Sequence, residues 1–139
     1  MILLVEDDDN DAELILRTLN LQVAADSIRH VRDGIEAVEL LDQWQEEPLQ
    51  LILLDLNLPG LSGLDVLQHV RATQLTSHVP VVILTGSERS SDIARSYDLG
   101  ANSLLSKADR GTRFAETVSQ IVPYWLELNH SYIPPGSKR

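Results

Sequence analysis

Five side chains of complementary chemistry stand at the ends of short apolar runs. Glu6 and Asp7 follow I-L-L-V, Asp55 follows L-I-L-L, Thr85 follows V-V-I-L, and Lys107 follows S-L-L-S. Three carboxylates drawn close together cannot all stay ionised without a positive partner. An all-oxygen donor set suits a hard divalent cation, and Mg²⁺ with several retained waters is the expected one. A cation-bound carboxylate facing a hydroxyl and an ammonium suits phosphoryl transfer, where positioning and charge neutralisation supply most of the catalysis. In that chemistry Asp55 is the candidate nucleophile and would form an acyl phosphate. Glu6 and Asp7 would hold the metal with Asp55, and the backbone carbonyl of Asn57 is a further candidate ligand. Lys107 would pair with one phosphoryl oxygen and Thr85 would donate to another, while Gly86 leaves room for the incoming group. A calcium loop fails the same residues: counted from Asp7, its required Gly falls on Ala12 and its closing Glu on Thr18.

The elements that must carry these groups alternate in type. Apolar, strand-like runs at 2–5, 27–31, 49–54, 79–84 and 103–106 are separated by stretches of helical period. Most lack charge, as expected of strands covered on both faces, whereas S-I-R-H-V is polar enough for a sheet edge. Asp9 or Asn10 can cap a first helix bearing Ala12, Ile15, Leu16 and Leu19. Asp33-Gly34 precedes a second with Ile35, Val38 and Leu41, and Ser62 starts a third with Leu64, Leu67 and Val70. Ser90 or Ser91 caps a fourth with Ile93, Ala94 and Tyr97, closed by Gly100. Phe114, Val118, Ile121, Val122 and Trp125 define a fifth, which Pro123 should kink or end early. This repeated β-α order predicts an α/β fold with a parallel sheet between helices. Ligands in such folds bind beyond the carboxyl ends of the strands, so residues from position 6 to position 107 converge on one site. Asp8, Asp9 and Asp11 are read differently, as capping and helix-dipole residues of the first turn.

The chain has 139 residues, 43% of them hydrophobic and 23% charged, which is one globular domain's worth. With 11 basic and 21 acidic side chains the formal charge is −10, which argues against nucleic-acid or anionic-membrane binding. There is no cysteine, so disulfides and thiolate chemistry are excluded. The amino terminus turns acidic too early for a signal peptide, and no segment has the apolar length of a membrane span, so a cytoplasmic location is expected.

In their order and spacing, V-E-D-D, L-L-D-L-N-L-P-G-L-S-G-L-D-V-L, L-T-G and S-K resemble a response-regulator receiver domain over about residues 1–125. The resemblance implies a flavodoxin-like, doubly wound five-stranded parallel sheet of order 2-1-3-4-5 with five helices. It implies that Asp55 takes phosphate from a sensor histidine kinase or phosphotransfer protein, with Mg²⁺, and switches a surface that binds a downstream protein target. Beyond promoting its own phosphoryl uptake and slow self-dephosphorylation, no enzyme activity is expected. Residues 1–128 would form the receiver and 129–139 an extended or disordered tail, making a single-domain regulator of a two-component phosphorelay. The ending Y-W-L-E-L-N followed by P-P is similar to small regulators paired with bacterial phytochromes. Helix four, strand five and helix five, the usual regulatory face, would serve a homodimer.

Two positions depart from the pattern. Receivers usually carry Pro after the Lys, where this chain has Ala108, which puts the conformation of the Lys107–Ala108 bond in question. Many carry Tyr or Phe at the position of Leu104, and leucine cannot reproduce an aromatic swing coupled to Thr85. Both features favour an alternative, a phosphorylation-independent receiver-like binding module. A phosphohydrolase is a poorer reading, because its second Asp would fall on Asn57, and an amide cannot transfer the proton. Trp44, Trp125 and Phe114 are read as core or partner-facing residues. His30, His69, His78 and His130 lack ligand spacing and are read as structural.

Overall fold

A computed structural model describes residues 1–107 and 112–132. Its elements are β1 (Ile2–Val5), α1 (Asp9–Leu19), β2 (Ile28–Val31), α2 (Gly34–Asp42), β3 (Leu51–Leu54), α3 (Gly63–Ala72), β4 (Val81–Thr85), α4 (Ser90–Asp98), β5 (Ser103–Ser106) and α5 (Thr112–Ser119). The strands form one parallel sheet in the order β2-β1-β3-β4-β5, the expected flavodoxin-like winding. S-I-R-H-V contributes β2 at one edge, and β5 forms the other.

Strand alternation explains the three layers. Leu3 and Val5, Ile52 and Leu54, and Val81 and Ile83 face one side, packed with Ala37 and Leu41 of α2 and Val66, Leu67 and Val70 of α3. Ile2 and Leu4, Leu51 and Leu53, and Val82 and Leu84 face the other, packed with Ile15 and Leu19 of α1 and Phe114 and Val118 of α5. Every residue of β1, β3 and β4 is buried, which is why these runs read as unbroken apolar sequence. Fully burying each Leu, Ile or Val contributes about 1.5–3 kcal/mol, so this central slab is the rigid part on which the strand ends are mounted.

β1 and β5 match the expected runs, whereas β2, β3 and β4 start one or two residues later than theirs. Val79 is drawn into the turn after α3, its N–H donating to the Thr76 carbonyl at 3.0 Å, and pairing with β3 begins at Val81. Helix α1 is capped by Asp8, one or two residues earlier than expected, with Asp8 Oδ1 accepting from the Asp11 N–H at 2.9 Å. Asp33 and Ser62 cap α2 and α3 as expected, the latter in a reciprocal capping box with Asp65. Neither Ser90 nor Ser91 caps α4, which starts after Arg89 without a side-chain cap. That end is held instead by Ser87, whose Oγ donates to Asp92 Oδ2 at 2.5 Å. Gly100 follows α4 at φ +105°, in the left-handed conformation that closes a helix. Pro123 interrupts the last helical stretch: α5 ends at Ser119, and Pro123–Leu128 continue as a π-helical segment. No helix among the described residues is long and apolar enough to cross a membrane. Of the tail expected at 129–139, residues 129–132 are non-helical, and the remainder lies outside the described residues.

Candidate functional site

The sheet ladder continues for one residue past the strands and so fixes the backbone of the site. Glu6 N–H donates to the Val31 carbonyl and Asp55 N–H to the Val5 carbonyl, each at 3.0 Å, and Lys107 N–H to the Thr85 carbonyl at 2.7 Å. Glu6 and Asp7, Asp55, Thr85 and Lys107 are thereby presented along one end of the sheet. Gly63 permits the loop after Asp55 to fold tightly, because a Cβ there would lie 2.1 Å from the Asp55 carbonyl oxygen. Its N–H instead donates to the Leu56 carbonyl at 2.9 Å. Gly60, at φ +78°, turns the same loop through a conformation that other residues rarely adopt.

One oxygen from each of Glu6, Asp7 and Asp55 lies within 4.8 Å of the other two, close enough to share one cation. Glu6 and Asp55 are buried and Asp7 is exposed, so the group has a closed floor and an open side. Three oxygen donors at that spacing fit a hard divalent ion such as Mg²⁺. Asp55 Oδ1 also accepts from the Asn57 N–H at 3.3 Å, which sets Asn57 beside the acid it follows.

Lys107 is only 2% exposed, and its ammonium is the counter-charge of the cluster. Nζ pairs with Glu6 Oε1, with Asp11 Oδ2 at 3.1 Å and with Asp55 Oδ2 at 3.3 Å. Burial pushes the Glu6 carboxyl up to about 7; the hydrogen bond from Lys107 opposes this, and the Asp55 charge adds to it. Burial would lower the Lys107 ammonium, yet its bond to Glu6 and the charges of Asp55 and Glu6 outweigh that and raise it. The ammonium therefore remains charged where a phosphoryl oxygen on Asp55 would need it.

Thr85 is fully buried at the end of β4, with its Oγ1 accepting from the Ser87 N–H at 3.1 Å. A Cβ at Gly86 would meet nothing within 4 Å, which leaves open space next to Thr85 in the chain. Ala108 lies outside the described residues, and so does the conformation of its bond to Lys107.

Asp11 corrects the sequence reading. It was assigned to capping and the helix dipole, but its side chain is buried and ion-paired with Lys107. The available signal was its place on the buried stripe of α1, four residues before Ile15 and seven before Thr18. An acid on the core-facing stripe requires a partner. His30 has the structural role expected of it: its Nε2 donates to the Glu6 carbonyl at 2.8 Å and braces the turn that carries the first two acids.

A profile of the response regulator receiver domain matches residues 2–119. The chain belongs to that family. It is 35% identical over 131 residues to the response regulator Rcp1 of Synechocystis sp., covering 91% of this chain and 89% of Rcp1. The phosphorylated cyanobacterial phytochrome response regulator RcpA has a similar structure, with a TM-score of 0.87 at 34% identity and coverage of 95% and 97% of the two chains. The Mn²⁺-bound form of Rcp1 gives a TM-score of 0.83 at 34% identity, covering 95% and 98%. This receiver is a two-component phosphoacceptor, a signalling protein rather than a conventional enzyme, and its family works between histidine kinases and downstream targets. Membership does not favour the phosphorylation-independent module that Ala108 and Leu104 suggested. Leu104 sits in β5, half-buried against the α2–α3 side of the sheet.

Proposed function

We propose that Asp55 is the phosphoacceptor, assisted by Mg²⁺ held through Glu6, Asp7, Asp55 and the Asn57 backbone carbonyl. The observation that supports this is the pairing of one buried ammonium, Lys107, with Glu6 and Asp55 while Asp7 stands within metal-sharing distance of both. An Asp55 oxygen attacks phosphorus on a phosphohistidine; the new O–P bond forms as the N–P bond breaks, and the imidazole nitrogen keeps that electron pair. A bound divalent cation supplies charge neutralisation for the transferring group. Lys107 donates to one phosphoryl oxygen, and Thr85 turns from Ser87 to donate to another. Water later attacks the acyl phosphate and releases inorganic phosphate, which resets the protein.

The donor is a sensor histidine kinase or phosphotransfer protein, and by likeness to Rcp1 and RcpA a phytochrome kinase is the leading candidate. Residues 1–128 act as the receiver unit in the cytoplasm, and residues 129–139 as its tail. The output surface is α4–β5–α5, which engages a downstream protein and a second copy of the chain. Helix α4 suits that role because Ser96 is its one buried residue, leaving few contacts to resist a shift.

The test is incubation with acetyl phosphate and Mg²⁺ followed by intact-mass measurement. The wild type should gain the mass of one phosphoryl group, and Asp55→Asn should not. Uptake without Mg²⁺, or in Asp55→Asn, defeats the assignment. Sedimentation at increasing concentration, with and without beryllofluoride, tests the homodimer separately.

A further inference from the structure

Among the described residues the acids that can converge on one ion are Glu6, Asp7 and Asp55; Asp11 is not among them. Yet Asp11 is as buried as Asp55, at 7% exposure each, and it holds the same lysine at 3.1 Å. It belongs to α1, whereas the other two acids paired with Lys107 follow β1 and β3. Its backbone N–H is fixed by the Asp8 cap, so the carboxylate is carried on a rigid first turn.

A dication entering the site meets an ammonium already bonded to Glu6 and Asp55, two of the three groups it needs. Like charges at such distances repel strongly where water is excluded. For both to occupy the site, Lys107 has to loosen its hold on Glu6 and Asp55 without leaving. Among the described residues, Asp11 offers the one ion-paired carboxylate of Lys107 that stands outside the metal-sharing group. We propose that Asp11 is a positioning residue for Lys107: it draws the ammonium off the metal ligands as the cation binds and keeps it beside Asp55 to meet the phosphoryl oxygens. The proposal rests on the metal and phosphoacceptor assignment above, and it makes Asp11 necessary for cation and ammonium to coexist.

Removing the Asp11 charge acts twice in the same direction. Lys107 falls back wholly onto Glu6 and Asp55, and the site loses one negative charge that attracts the cation. Mg²⁺ at half-saturation should therefore rise about three- to tenfold in Asp11→Asn.

The chain contains two lysines, Lys107 and Lys138, so lysine labelled with ¹³C at Cε gives two signals, assigned with Lys138→Arg. The experiment follows these signals through an Mg²⁺ titration of the full chain, with thermal unfolding as the check on folding. In the wild type, the Lys107 signal should shift on saturation and stay distinct from that of a free lysine. In Asp11→Asn, and in Asp11→Ser as a second uncharged variant, saturation should need more Mg²⁺ and drive the Lys107 signal toward the free-lysine position. Asp11→Glu, which keeps the charge, should restore the wild-type response. Uncharged variants that fold and titrate like the wild type overturn the role of Asp11. A wild type whose Lys107 signal ignores Mg²⁺ instead overturns the metal assignment beneath it.

Discussion

The Tyr97 hydroxyl, on α4, accepts a hydrogen bond from the Leu104 backbone N–H, on the open side of β5, at 3.2 Å. Leu104 is the position where an aromatic was missing, and an aromatic from the neighbouring helix reaches its backbone instead. The same helix is tied to the phosphate side of the molecule, since Ser87 bonds both Thr85 Oγ1 and Asp92. A movement of Thr85 that disturbs Ser87 would therefore be felt along α4 as far as the β5 edge. Tyr97→Phe should remove the tie at a cost of about 0.5–1 kcal/mol, small because the ring is half exposed. Hydrogen exchange of the Leu104 amide should quicken in that variant, and in the wild type on adding beryllofluoride with Mg²⁺. Unchanged exchange in both would remove Tyr97 from the switch.

Gly63→Ala tests how tightly the loop after Asp55 is packed. The added Cβ would lie 2.1 Å from the Asp55 carbonyl oxygen and 2.6 Å from Leu56 Cα, both backbone atoms that cannot swing aside. Overpacking of this kind typically costs 1–3 kcal/mol, and about 3 kcal/mol is expected here. The displaced backbone is that of the acceptor itself, so acetyl phosphate labelling should fall more steeply than stability does. Labelling at the wild-type rate in the folded variant would show that the loop has slack.

How far the sequence revealed this arrangement depended on the length scale involved. β1, β3 and β4 were legible because burial on both faces leaves no room for charge, and their ends pointed directly to Glu6, Asp55 and Thr85. Strand starts were less legible, since Val79 is apolar whether it pairs in a sheet or closes a turn. Strand order came from resemblance to a family; periodicity cannot say which strand lies beside which. Asp11 was missed because a first-turn acid and a buried ion-pair partner look alike locally, and the lysine that separates the two readings lies 96 residues away.

Arg71 should prove the main polar anchor on the side of the molecule away from the acids. Its guanidinium donates to the Gly100 carbonyl at 2.9 Å, the Val79 carbonyl at 2.7 Å and Asn102 Oδ1 at 2.8 Å, joining α3 to the lead-in of β4 and to the α4–β5 connection. Asn102 Oδ1 accepts in turn from the Val81 N–H, so the lead-in to β5 and the start of β4 share one acceptor. Arg71→Met keeps much of the packing and takes the guanidinium donor away from all three acceptors, for a loss of about 2–3 kcal/mol in urea unfolding. Lys107 and the three acids around it are untouched, so phosphoryl uptake below the unfolding transition should stay near the wild-type value.

His78 gives the stability of this receiver a component that weakens in acid. Among the described residues nothing reaches its buried Nδ1 by hydrogen bond. Burial, and secondarily the charge of Arg71, hold its pKa below the ordinary 6.5. The unfolded chain therefore takes up a proton before the folded one does as pH falls. The contribution is intact above the unfolded pKa, and it is lost progressively as pH drops from about 6.5 toward the lower folded value. His78→Gln cannot titrate, and the other ionisable groups are common to both proteins. Urea midpoints between about pH 7.5 and pH 5.5 should fall further for the wild type than for His78→Gln, with the two curves diverging below about pH 6.5. Curves that stay parallel through that range would mean that His78 accepts its proton in the folded state as readily as in the unfolded one.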